Sequence, residues 1–206
     1  MNINKQSLES LSNFGIDEKQ LKIIHEILEI PCIYLINFNA INHLNTRRLL
    51  LGIQHYQQFP GYIESQLEKI LQKIKYTELI PLIKRLSQII RTSLKLIKHP
   101  INMIGFSVSK DGFKQFKVYY LFENSDEIIE NGAVISMKPD KQKIKQSIHQ
   151  ILEDIEFSND EKNKALNLID SMYVNTFEFE TLGINIEKGK DYALKLYFRP
   201  TETDNK

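Results

Sequence analysis

A chain of 206 residues, 42% hydrophobic and 26% charged, is long enough to bury a substantial core and has an ordinary globular composition. Its one cysteine, Cys32, excludes a disulfide framework and a zinc site of several cysteines. The formal charge of +1 gives no bulk electrostatic case for nucleic acid, since residues 1–100 carry 13 Lys/Arg against 8 Asp/Glu and the remainder 14 against 18. No apolar run approaches the roughly 18 residues of a membrane span. The opening MNINKQSLESLSNFG lacks the hydrophobic centre of a signal peptide. The expectation is a cytoplasmic protein with neither a membrane nor a nucleic-acid partner.

In chain order, Ile16, Leu21, Ile24, Ile27 and Leu28 fit a helix entered near Asp17 and ended before Pro31. Residues 32–38, CIYLINF, read as a short buried strand, although periodicity alone does not settle it. Residues 42–58 read as a second helix, stopped by Pro60-Gly61. Ile63, Leu67, Ile70, Leu71 and Ile74 form an apolar stripe at helical spacing. A longer helix spans about 78–98, with Leu79, Leu82, Ile83, Leu86, Ile89, Ile90, Leu94 and Ile97 inward; Pro81 suits its first turn and His99-Pro100 ends it.

Residues 104–122 and 182–200 are two copies of one pattern, 78 residues apart: IGFSVSKDGFKQFKVYYLF and LGINIEKGKDYALKLYFRP. Gly105 falls on Gly183, Lys117 on Lys195 and Tyr119 on Tyr197. Each copy reads as a strand, a turn and a second strand. Phe116, Val118, Tyr120 and Phe122 make one face of the first copy's second strand; Gln115, Lys117, Tyr119 and Leu121 make the other. In the later copy Leu194, Leu196 and Phe198 oppose Ala193, Lys195, Tyr197 and Arg199. Between the copies, Asn131-Gly132 is a turn and Ala133–Met137 a strand; Pro139 opens a helix bearing Ile144, Ile148, Ile151, Leu152 and Ile155. Ser158 with Glu161 is a capping box for a helix carrying Leu166, Ile169 and Met172. Residues 173–180 lead, extended, into the second hairpin, and Glu202–Lys206 is a polar tail. The order predicts a single α+β domain over 1–206: residues 1–100 mainly helical, then two hairpins over 101–200 separated by two helices. The apolar strand faces lie on helices. Lys and Tyr then either meet water, as on any half-exposed sheet, or line a polar cavity.

The chain has no Gly-rich phosphate loop, no His-Glu-x-x-His and no nucleophile elbow. His25, His43, His55, His99 and His149 have no ligand spacing and read as surface or boundary residues. Arg47-Arg48 reads as a solvated helix face, and Cys32 as a buried structural thiol. What remains is Lys117, Tyr119, Lys195, Tyr197 and Arg199, all on one strand parity. Lys and Arg neutralise phosphate oxygens, and a tyrosine ring stabilises a neighbouring cation.

Helix pairs alternating with hairpins that carry Gly and Lys-x-Tyr resemble the ABBA aromatic prenyltransferases, over about residues 100–200. The resemblance implies helices outside, strands inside and a lumen for an allylic diphosphate and an aromatic or peptide acceptor. Lys117, Lys195 and Arg199 would hold the diphosphate; Tyr119 and Tyr197 would shield the prenyl cation. No protein-held metal is implied; Mg2+ would accompany the diphosphate. The family's closed barrel has more repeats than the two seen here, so an open or partial barrel is expected, with a homodimer as one way to enlarge it. No catalytic base is assigned, since Glu26 and Glu29 lie on a helix. A non-catalytic binding or accessory protein of the same architecture is the alternative expectation.

Overall fold

The computed structural model describes residues 16–41, 46–53, 60–94, 100–122, 127–130, 133–136, 141–155, 157–174, 177–187 and 192–200. Helix α1 (Glu18–Leu28) starts at Asp17, whose carboxylate accepts the Lys19 N–H at 3.0 Å. Strands β1 (Ile33–Ile41) and β2 (Thr46–Ile53) follow as an antiparallel pair. Helix α2 (Pro60–Ile74), a 3-10 turn (Thr77–Leu79) and α3 (Ile80–Leu94) lead into β3 (Ile101–Ser109) and β4 (Gly112–Leu121). The short strands β5 (Glu127–Glu130) and β6 (Ala133–Ser136) pair with each other. Helices α4 (Lys141–Asp154) and α5 (Asn159–Val174) then precede β7 (Phe177–Glu187) and β8 (Tyr192–Pro200).

The protein is α+β, with one six-stranded antiparallel sheet ordered β1-β2-β3-β4-β7-β8. The sheet is not closed: β1 and β8 are its edges. Alternation decides what each face carries. Leu49 and Leu51 of β2, Ile104, Phe106 and Val108 of β3, Phe116, Val118 and Tyr120 of β4, and Leu182, Ile184 and Ile186 of β7 are all buried on one side. They form one core with Ile24 and Ile27 of α1, Ile70 and Leu71 of α2, Leu86 and Ile90 of α3, and Ile148 and Ile151 of α4. Burial pushes the Tyr120 phenol up, and its hydroxyl reaches the Ile83 carbonyl at 3.5 Å. On β8 the corresponding residues Leu194, Leu196 and Phe198 are only half-buried against this core, as suits an edge strand.

One element differs in kind from its sequence expectation. Residues 42–58 do not form a helix: 46–53 are strand β2, while 42–45 and 54–58 lie outside the described residues. The run Leu49-Leu50-Leu51 satisfies either period. Pairing resolves it, because Leu49 sits opposite Phe106 and Leu51 opposite Ile104 in the β2–β3 ladder. A central strand buried against helices reads as a continuous apolar run, so its alternation is masked. The part expected to be mainly helical therefore supplies a hairpin to the sheet.

Elsewhere the local chemistry acts as its residues suggest. The Ser158 hydroxyl accepts the Glu161 N–H at 3.3 Å, and the Glu161 carboxylate accepts the Ser158 N–H at 3.0 Å, the reciprocal capping box of α5. Lys141 and Lys145 on α4 both reach Asp170 on α5, at 3.0 and 2.6 Å. In the β3–β4 hairpin Ser109 pairs with Gly112, whose φ of 118° is open to glycine and strained for other residues. The turn Asn131-Gly132, Met137, Pro139, Ile97 and the tail Glu202–Lys206 lie outside the described residues, as does the side chain of Leu94.

Phe116 is fully buried, with its ring centroid 6.4 Å from that of Tyr76. Phe116→Ala should cost about 3–5 kcal/mol in urea unfolding. Lys195→Ala, on the far side of the same sheet, should change stability by about 0.5 kcal/mol or less.

Candidate functional site

The sheet's second face carries the residues that the described helices do not cover, and its register arranges them in transverse rows. Arg48, Ser107, Gln115 and Glu187 are successive partners across β2, β3, β4 and β7. The next row holds Leu50, Gly105, Lys117, Asn185 and Ala193; the one beyond holds Gly52, Met103, Tyr119, Gly183 and Lys195. Arg48, Lys117 and Lys195 thus fall on one diagonal. Each step is two strands across and two residues along, about 12 Å between Cα atoms. The outer two side chains are long enough to reach back towards the middle one.

Burial deepens towards the centre. Arg48 and Lys195 are exposed, whereas Lys117 is 5% exposed. Its strand neighbours are small: Gly105 on β3 and Asn185 on β7 flank it, with Ser107, also buried, one row away. Among the described residues no carboxylate pairs with the Lys117 ammonium. Burial, followed by the charges of Arg48 and Lys195, lowers Lys117 from the ordinary 10.5 to about 8. Glu187, on this face, accepts the Gln115 amide at 3.3 Å. The Gln115 amide oxygen in turn accepts the Ser107 hydroxyl at 3.3 Å. Asn185, opposite Lys117, has a buried Oδ1 with no hydrogen-bond partner.

Beside the cations stands an aromatic pair. Tyr119 and Tyr197 sit on the strands flanking β7, and their ring centroids lie 6.0 Å apart. Gly183 makes the approach possible, because a Cβ there would meet Tyr197 at 3.1 Å and Tyr119 at 3.2 Å. The Tyr119 phenol is pushed up to about 12 by burial and then by Tyr197, so it stays protonated and able to donate. The matched glycine of the earlier hairpin does something else: at Gly105 a Cβ would press on the Leu49 carbonyl at 3.2 Å. The two copies share spacing, not a shared use of it.

Of the residues singled out in the sequence, Lys117, Tyr119, Lys195 and Tyr197 lie together on this face. Arg199 shares their face but stands six residues along β8 from Lys117's row, about 20 Å away, half-buried and opposite Glu178. It does not join the cluster. Arg47-Arg48 is not a helix face: Arg47 is buried on the helix side of β2 and Arg48 belongs to the cluster. Arg48 was hidden by the masked alternation of its strand. Cys32 is buried and its thiol raised by that burial, as suits a structural role. His25 and His149 pair with Glu29 and Glu153 on exposed helix faces; His43, His55 and His99 lie outside the described residues.

Among the described residues no three His, Cys, Asp or Glu side chains gather as a metal site requires. A divalent cation at the cluster would have to arrive with its ligand. No described helix is long and apolar enough to cross a membrane. Comparison with protein-family models, curated proteins and solved structures returns no match.

The lowered Lys117 value has a stability consequence. Between about pH 8 and 10.5 the unfolded chain holds more of this proton than the folded one, so rising pH through that window favours folding. Lys117→Met should therefore be more stable than the parent below pH 8, by about 1 kcal/mol or more. The gap should narrow towards pH 10.5 in paired urea titrations. A gap that stays constant with pH would show that Lys117 is ordinarily solvated.

Proposed function

We propose that the face of the sheet opposite the described helices binds a small phosphate-bearing ligand, with Lys117 at the centre and Arg48 and Lys195 at the rim. The observation that carries this reading is a buried ammonium flanked by two further cations and unmatched by any described carboxylate. Such an arrangement is costly in the empty protein, and a multiply charged anion removes both the burial cost and the repulsion. Asn185, Gln115 and Ser107 add neutral polar groups around it.

An allylic diphosphate is the ligand that would use the whole cluster: cations on the diphosphate, and the Tyr119–Tyr197 pair against the prenyl chain. Binding without transfer is the reading that the exposure favours. Tyr197 is 38% exposed and the sheet is not closed, and a prenyl cation formed there would be captured by water. Transfer to an aromatic or peptide acceptor, within an ABBA-like partial barrel, would require the acceptor or a second copy paired along a sheet edge to cover this face. We therefore put binding first and prenyl transfer second.

Calorimetric titration with inorganic pyrophosphate and with dimethylallyl diphosphate separates these. Both should bind, and weaken as salt is raised. Lys117→Met and Lys195→Ala should each lose about tenfold or more, the equivalent of a hydrogen bond to a charged group. Tighter binding of the prenyl compound than of pyrophosphate, lost in Tyr197→Ala, would assign the rings to the chain. No binding of either anion, or binding indifferent to both lysines, would overturn the proposal. A prenylated product from a panel of aromatic acceptors would raise transfer to the first reading.

A further inference from the structure

We propose that Lys117 is a nucleophile that forms a Schiff base with a phosphorylated aldehyde or ketone, its phosphate held by Arg48 or Lys195. This rests on the anion-binding reading above and names the class of ligand for that site. The geometry supplies three things such chemistry needs. Lys117 as a residue is 5% exposed, and its amine has no described carboxylate to keep it charged. Two cations stand on either side of it along the diagonal, placed to fix an anionic group while the carbonyl carbon meets the nitrogen. Tyr119, two residues along the same strand and on the same face, carries a phenol that stays protonated.

The groups facing Lys117 are Arg48 from β2, Tyr119 on its own strand, Glu187 from β7, and Lys195 and Tyr197 from β8; β3 contributes Met103, Gly105 and Ser107, none of which titrates. Glu187 accepts from Gln115; the charges that act on Lys117 are those of Arg48 and Lys195, which favour the neutral amine. With a value of about 8, roughly a quarter of Lys117 amines are neutral near pH 7.5, against about one in a thousand for an ordinary lysine. Desolvation together with a neighbouring cation is an established way to activate a lysine amine.

In the step itself, the nitrogen lone pair attacks the carbonyl carbon. A C–N bond forms, the C=O electron pair moves to oxygen, and that oxygen takes a proton from the Tyr119 hydroxyl, whose phenolate takes one proton back from the nitrogen. The carbinolamine hydroxyl then takes a proton from Tyr119 and leaves as water as the nitrogen lone pair forms the C=N bond, and the nitrogen's second proton returns to the phenolate. One water is released for each carbonyl consumed, and no oxidant or reductant enters.

Pyridoxal 5′-phosphate is a suitable probe, being a phosphorylated aldehyde whose adduct is fixed by borohydride. The intact protein is treated briefly at pH 7.5, reduced, digested and mapped by mass spectrometry. Lys117 should be modified at least tenfold faster than the exposed Lys110 and Lys143, excess pyrophosphate should suppress it, and pyridoxal without its phosphate should react more slowly. Lys117→Arg, which keeps the charge, should lose the fast adduct. Labelling of Lys117 no faster than Lys143, or a fast adduct that survives in Lys117→Arg, would overturn the inference. If pyrophosphate binds but Lys117 gives no fast adduct, the nucleophile fails and the anion site stands; if neither occurs, both fail.

Discussion

Everything distinctive about this protein depends on a six-stranded sheet with one face packed on helices as an apolar core. Between their register shifts the central strands β3, β4 and β7 alternate, so the side packed on the helices takes Phe106, Phe116, Val118, Leu182 and Ile184. The opposite side is left with the residues of the other parity. Around Lys117 the register is continuous, and a one-residue slip there would turn the apolar set away from the helices. Lys117 is therefore fixed in position by Phe116 and Val118: as long as these two are in the core, their neighbour must face the other way.

That coupling explains how a buried cation can persist. Lys117 disfavours the folded state on its own account, and the cluster with Arg48 and Lys195 adds repulsion. The stability that tolerates it comes from the other face, where aromatic and branched side chains are almost wholly removed from water. Helix-level contacts, such as the α4–α5 ion pairs at Asp170 and the Ser158–Glu161 box, hold the cover in place. Unfavourable charge concentrated at one spot on a stable scaffold is the pattern expected of a binding site that is completed by its ligand.

Much of this was legible in the chain. The Lys117/Phe116 and Lys195/Leu194 alternations, the helix stripes at Ile63–Ile74 and Ile144–Ile155, and the Ser158 cap all follow from local rules that survive folding. The β1–β2 hairpin was not legible as such, because Leu49-Leu50-Leu51 satisfies two periods and only its partners on β3 choose between them. With it went Arg48, a cluster member that sequence reasoning assigned to a helix surface. Arg199 shows the opposite failure: parity put it on the correct face, but distance along β8 takes it away from Lys117. The sharp difference between Gly105 and Gly183, one against a backbone carbonyl and one beneath two rings, is likewise a matter of which strands become neighbours.

The central claim is that Lys117 is an electrostatically strained amine awaiting an anion. It is tested most directly by NMR titration of the lysine side chains in isotopically labelled protein, with the Lys117 signal assigned from Lys117→Arg, with and without inorganic pyrophosphate. The account predicts a midpoint near 8 for the free protein, moving upward when pyrophosphate is present. A midpoint at the ordinary lysine value of 10.5, or one that pyrophosphate leaves unmoved, would contradict it.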